Sequence, residues 1–216
     1  MDSGLTWIFL TVALAHFLAL LSPGPDFVLV VKSAIKNDKS KAIGVAAGIA
    51  SANAFYIALC LAGVGAMLAS SITIMIALKI IGGIFLVFLA VQALRAKKND
   101  YADFGLDTTT NKNGHTTFVK EFATGFMSGA LNPKNLLFYL SLFTVVLTND
   151  VNLTFKISLG VWMTMVVFAW DTAVIFLLST KKVRNQFTKS AFYIDKVTGA
   201  ILGLVGLSIV RSALSK

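Results

Sequence analysis

Apolar residues in this chain run in long blocks broken by short polar stretches. Six blocks of about 20 residues or more cover 5–31, 42–68, 72–94, 122–147, 155–180 and 194–210. A helix rises ~1.5 Å per residue, so each block is long enough to cross a hydrocarbon core of ~30 Å. The pattern predicts an all-α, polytopic membrane protein of six transmembrane helices. Two blocks are interrupted at matching points, the first by Ser22-Pro23-Gly24-Pro25-Asp26 and the fourth by Asn132-Pro133-Lys134. An interior proline removes one helical hydrogen bond and frees a carbonyl. In hydrocarbon, such backbone is tolerated only where it faces protein or a water-lined cavity. Interrupted segments at corresponding places in two halves point to a transporter's substrate site. The chain is therefore expected to be a small carrier.

The stretch 97–120, rich in Asp, Asn, Thr and Lys, is the only long connection and is expected to be a flexible cytoplasmic linker. Residues 1–216 then form a single integral membrane domain, with one three-helix repeat in 1–96 and a second in 121–216. Three is odd, so the second set enters the membrane from the side opposite to the first. The expected fold is two inverted three-helix repeats with broken first and fourth helices.

Composition leaves little room for anything else. Of 216 residues, 56% are hydrophobic and only 13% charged, with a mean hydropathy of +0.80, and six spans use nearly the whole chain. Met1-Asp2-Ser3-Gly4 lacks the basic leading region of a cleavable signal, so the first block is expected to be retained. The net charge of +9 suggests nucleic acid until its placement is considered. Lys32, Lys36, Lys39 and Lys41 follow the first block. Arg95, Lys97, Lys98, Lys112 and Lys120 follow the third, and Lys181, Lys182, Arg184, Lys189 and Lys196 the fifth. The other connections are almost bare. This alternation puts the basic loops in the cytoplasm and both termini outside, with anionic lipid headgroups as a secondary partner and no nucleic acid.

The interior offers few groups for chemistry. Cys60 is the single cysteine, which excludes a thiol redox pair within the chain and suits a small packing residue. A metal-ion exporter on a related fold is the weaker alternative, because two aspartates and one histidine near a lysine make a poor cation site. Ser22 lies near His16 without an orienting acid, so no hydrolase arrangement exists either. Neither enzyme activity nor a metal or cofactor is expected.

What remains is a set of polar side chains in the spans. Asp26 admits two roles: a cap on the helix after the break, or a ligand for a substrate amine or a proton. Lys134 lies too deep for its stem to reach an interface comfortably and needs an anion, either Asp26, Asp171 or a substrate carboxylate. Asn132 and Asn135 bracket it. Asp171 is either a solvated edge residue or a second proton-titrating group. Asn53 suits ligand binding or interhelical packing equally. His16 suits a proton relay or a hydrogen-bonded core position, and Lys79 is expected to snorkel outward. Gly44 and Gly48, Gly125 and Gly129, and Gly199 and Gly203 repeat at the four-residue spacing that lets helix backbones approach closely. Packing within the chain accounts for them, although six helices leave lipid-facing surface for a homodimer.

At these residues the chain resembles the lysine-exporter (LysE/RhtB) family of amino-acid exporters over its whole length. The family's proline-glycine-proline-aspartate element stands here as Pro23-Gly24-Pro25-Asp26. Its second element stands as Gly125-Phe126, then Asn132-Pro133-Lys134, ending in the aromatic pair Phe138-Tyr139; the last helix carries Gly199, Gly203 and Gly206. Leu5-Thr6, Ala13-Leu14-Ala15-His16 and Ala169-Trp170 look most like the threonine and homoserine efflux branch. Ala52 and Ala90 stand where the family often has glycine, which leaves the pocket size and the identity of the amino acid open. The resemblance implies proton-coupled export of an amino acid by a six-helix protein of the bacterial inner membrane. Pro23, Gly24, Pro25, Asp26, Asn53, Asn132, Pro133 and Lys134 would then bind substrate, and Asp26, Asp171 and His16 would couple protons. Lys134 would hold the carboxylate, Asp26 the ammonium, and Asn53 or Asn132 a side-chain hydroxyl.

Overall fold

The computed structural model describes residues 3–22, 24–64, 71–97, 116–146 and 151–215, and all regular structure among them is helical. In chain order the helices are α1 (Ser3–Leu21), α2 (Pro25–Lys36), α3 (Lys39–Leu59), α4 (Ile72–Arg95), α5 (Phe118–Leu131), α6 (Pro133–Val146), α7 (Leu153–Leu178) and α8 (Lys181–Leu214). A π-helical turn, Cys60–Val64, continues α3. Five stretches are long and apolar enough to cross a membrane: Gly4–Leu21, Lys39–Ala62, Ile76–Arg95, Leu153–Leu178 and Lys189–Leu214. Large apolar side chains such as Trp7, Leu10, Ile84, Phe88, Met165 and Leu204 are exposed around the bundle, where lipid rather than water solvates them. The chain is a helical, multi-pass membrane protein.

The two interrupted blocks differ in how they break. In the fourth, α5 and α6 have 14 residues each, about 21 Å apiece, so neither half crosses alone. In the first, α1 already has the length of a span, and the break falls at its end. α2 then leaves as a short amphipathic helix ending at Lys36, with Phe27, Val30, Val31 and Ala34 buried. The stretch expected as linker also differs at its end. Thr117 caps α5 by accepting from the Lys120 amide at 3.2 Å, and Glu121 favours the positive end of that helix, so Phe118–Leu131 is helical. Residues 98–115, which include His115, lie outside the described residues. α8 likewise starts at Lys181, ahead of the apolar block at 194–210.

Two helix pairs carry the most extensive packing, α3 with α5 and α4 with α8. The α3–α5 seam is built from the repeated glycines. A Cβ on Gly44 would lie 2.5 Å from the Phe118 carbonyl, and a Cβ on Gly48 or Gly125 would collide with the carbonyl of Phe122 or Val45. The α4–α8 pair is antiparallel: Gly83 lies against Gly206 and Val210, while Gly199 lies against Ala90 and Ala93. Close backbone approach of this kind supplies the dispersion contact that replaces hydrophobic driving force in lipid. Lys196 adds a cap, donating to the carbonyls of Leu94 and Ala96 at the C-terminal end of α4, where a cation suits the helix dipole.

Two apolar cores result. One joins α1, α4, α6 and the first half of α7 through Val12, Leu86, Leu142, Phe143 and Met163, with Cys60 packed among them. The other joins α2, α3 and the far part of α7 through Val30, Val45, Ile49, Val167 and Ile175. The polar residues of the interior sit where the two meet. Lys79 departs from expectation: it is only 9% exposed, because α8 covers the face of α4 on which it stands.

Candidate functional site

Each break is the start of a new helix, and the two starts are built alike. Pro25 opens α2 behind Gly24 as its N-cap. Pro133 opens α6 behind Asn132, whose side-chain oxygen accepts from the Lys134 amide at 3.0 Å. Proline suits the first helical position because its missing N–H would have had no partner there. Asp26 and Lys134 therefore occupy the same place in their helices, directly after the proline. The acid there is favoured by the helix dipole and the base is disfavoured, so Lys134 needs negative charge nearby.

The carbonyls freed by the second break are taken up by protein. The Tyr56 hydroxyl donates to the Ala130 carbonyl, and the Asn132 amide and Asn135 side chain both point to the Gly129 carbonyl, at 3.3 and 3.4 Å. Backbone polarity at the break is thereby satisfied within the bundle.

Asp26 is not a cap on its own helix. Its carboxylate reaches across to α5 and α6, accepting from Ser128 at 2.6 Å, from Asn132 at 3.1 Å and from Asn135 at 2.7 Å. These three donors are neutral side chains, and together they engage both carboxylate oxygens. The Lys134 ammonium lies against the first break: a Cβ on Gly24 would stand 3.4 Å from Nζ. Gly24 is in extended backbone, φ −136° and ψ −174°, so only the space its missing side chain leaves matters there. Lys134 stands within electrostatic range of two carboxylates, Asp195 and Asp26. Asp195, buried in α8, accepts from Ser22 Oγ at 2.7 Å.

One chamber collects these groups. Its walls include Gly24, Asp26, Asn53, Asn132, Lys134 and Asp171, and His16 with Tyr139 closes one side. Its volume is about 60 Å³, room for a few waters at the ~10–15 Å³ each requires. His16 is 1% exposed and its Nε2 is 3.3 Å from the Tyr139 hydroxyl. His16 Nδ1 and Asn53 Oδ1, both buried, have no hydrogen-bond partner among the described residues. Each such atom costs on the order of 1–3 kcal/mol until something polar meets it. Asp171 is buried in the wall rather than solvated at an edge. The arrangement sets an acid, Asp26, and a base, Lys134, on the wall of one small polar chamber.

Of the residues singled out from sequence, Gly24, Asp26, Asn53, Asn132, Lys134, Asp171 and His16 all border the chamber. Pro25 and Pro133 start the helices that deliver Asp26 and Lys134, and Pro23 lies outside the described residues. Sequence reasoning missed Ser128 and Asp195, and gave Tyr139 only as half of the aromatic pair Phe138-Tyr139. Asp195 had a signal: it is an acid inside the last apolar block, obscured by the basic run before it. Ser128 had none, because its role depends on α5 passing beside α2.

Residues 17–213 match the family described as LysE type translocator. The chain is 26% identical over 207 residues to the threonine efflux protein of Escherichia coli (strain K12), covering 95% of this chain and 98% of that one. It is 25% identical over 207 residues to the leucine efflux protein of Klebsiella pneumoniae subsp. pneumoniae, covering 91% and 90%. An uncharacterized membrane protein of Haemophilus influenzae is 24% identical over 207 residues. No solved structure matches the chain. With the family match running from near the end of α1 almost to the end of α8 and taking in both helix breaks, the chain belongs to the LysE type translocator family.

Proposed function

We propose that this protein exports small neutral amino acids from the cytoplasm in exchange for protons, with threonine- and homoserine-like substrates favoured. The observation that carries the reading is the pair of opposite charges, Asp26 and Lys134, at matching positions of two half-helices bordering one chamber. A zwitterion placed there has its ammonium at Asp26 and its carboxylate at Lys134, beside the N-terminus of α6. His16 Nδ1 and Asn53 Oδ1, with the Asn132 amide, offer polar partners for a side-chain hydroxyl, which favours such substrates over leucine-like ones. Another small amino acid or metabolite is the alternative.

The matched breaks support two inverted three-helix repeats, with six spans, basic loops in the cytoplasm of a bacterial inner membrane and both termini outside. Rocking one repeat against the other would open the chamber to each side in turn. A proton reaching Asp26 or Asp171 from outside, with His16 as relay, cancels the charge that holds the ammonium and releases the amino acid. Return of the protonated carrier and loss of the proton inside complete the cycle.

Counterflow of a panel of labelled amino acids in proteoliposomes tests this. Threonine and homoserine should exchange fastest, and a pH step, acid on the side opposite the label, should drive accumulation that a protonophore abolishes. Absence of exchange for every amino acid tested, or indifference to the pH step, would remove the substrate or the coupling respectively.

A further inference from the structure

A second cavity, of about 460 Å³, opens between α1, α4 and α8, away from the chamber. Its walls are Lys79 from α4, Thr11 from α1, and Leu204, Val205, Ser208, Ile209 and Ser212 from α8. The antiparallel α4–α8 pairing, with Gly83 against Val210, brings the start of α4 beside the end of α8. Depth follows from the helical rise. Lys79 lies about 10 Å from the start of α4, and Ser208 and Ser212 about 9 and 3 Å from the end of α8. Leu204 and Val205 lie deeper, at about 14–15 Å. Thr11 lies about 12 Å from the start of α1, and Ile209 stands between Ser208 and Ser212, so the polar groups run from the helix ends to mid-depth while the deepest wall, Leu204 and Val205, is apolar. Exposed Leu204, Leu207 and Ile81 show that the surrounding surface is the one solvated by acyl chains.

We propose that this cavity is a phospholipid site. The lipid's phosphodiester sits at Lys79 with Thr11, Ser208 and Ser212 as hydroxyl donors, and an acyl chain lies along Leu204 and Val205. A phospholipid carries its charge and its apolar chains in that same axial order. Lys79, buried on the face of α4 that α8 covers, stands three residues, about 4–5 Å, inside the apolar stretch that begins at Ile76, close to the depth of a phosphodiester. The occupant is a lipid rather than a free oxyanion because the apolar half of the cavity has no counterpart on inorganic phosphate. The site stands apart from the chamber residues and does not depend on which substrate the chamber takes.

Native mass spectrometry of the full-length protein, delipidated in detergent and titrated with phosphatidylglycerol, tests the assignment. Lys79→Gln should weaken the tightest bound lipid roughly tenfold or more, as expected for loss of one charge-assisted contact, and Lys79→Arg should retain most of it. Ser208→Leu with Ser212→Leu, at exposed positions that spare the fold, should weaken it as well by filling the shallow end. Equal lipid retention by wild type, Lys79→Gln and the double-serine variant would overturn the site. So would displacement of the lipid by millimolar inorganic phosphate, or a lipid-free dimer that Lys79→Gln dissociates, since these point to a free anion or a second copy instead.

Discussion

The contact between Lys134 and the first break is set by what is missing from Gly24. A methyl group there would meet the Lys134 ammonium at 3.4 Å, ordinary contact distance, and the extended backbone accepts any residue. Gly24→Ala should therefore keep near-normal export, whereas Gly24→Leu should block it by pushing the ammonium out of the chamber; initial efflux rates from loaded vesicles distinguish the two. Asp26 is steadied by Ser128, Asn132 and Asn135. Removing one neutral donor from a carboxylate costs about 1.5–3 kcal/mol, so Ser128→Ala should raise the apparent KM for export by roughly 10- to 100-fold with the protein still folded. Asp195 supplies negative charge to a lysine that its own helix disfavours. Asp195→Asn should slow export and leave Ser22 a neutral partner, measurable as a lower rate at saturating substrate. Charges inside apolar blocks stand out in a sequence, which is why Asp26 and Lys134 were legible there. Ser128 was not, since one serine in an apolar helix carries no sign of the carboxylate it will meet.

Helix by helix, the hydrophobic blocks located α3, α4 and α7 to within a few residues, because length and apolarity decide what lipid will accept. The ends were less legible. Thr117 and Glu121 extend α5 into a stretch that composition marks as linker, and the basic start of α8 is helical although its polarity suggests a loop. Both depend on capping and on neighbouring helices rather than on hydropathy. The glycine spacings indicated close packing but not the partners, which are α3 with α5 and α4 with α8. Gly48→Ala should force α3 and α5 apart, since the Phe122 carbonyl lies where the methyl would go. Overpacking typically costs about 1–3 kcal/mol, so the Tm in detergent should fall by several degrees, while Gly4→Ala, which meets nothing within 4 Å, should leave it unchanged.

Taken as a whole, the molecule is two apolar cores with a polar chamber at their boundary. That position gives the proposed rocking motion its pivot: α1 and α6 hold one side of the chamber, α2 and α3 the other, and α7 contributes to both cores. That the chain is a bundle of membrane-crossing helices followed from the lengths of the apolar blocks. The chamber itself did not, because it depends on α2 leaving the end of α1 and crossing to α5 and α6. The claim on which the functional reading rests is that Asp26 and Lys134 grip opposite ends of one amino acid. Counterflow of labelled threonine into threonine-loaded proteoliposomes, with Asp26→Asn and Lys134→Gln each reconstituted at wild-type density and wild-type Tm, tests it most directly. Loss of either charge should cut exchange on the order of 100-fold or more, as breaking a buried charged contact does. Exchange at the wild-type rate by either variant would contradict it.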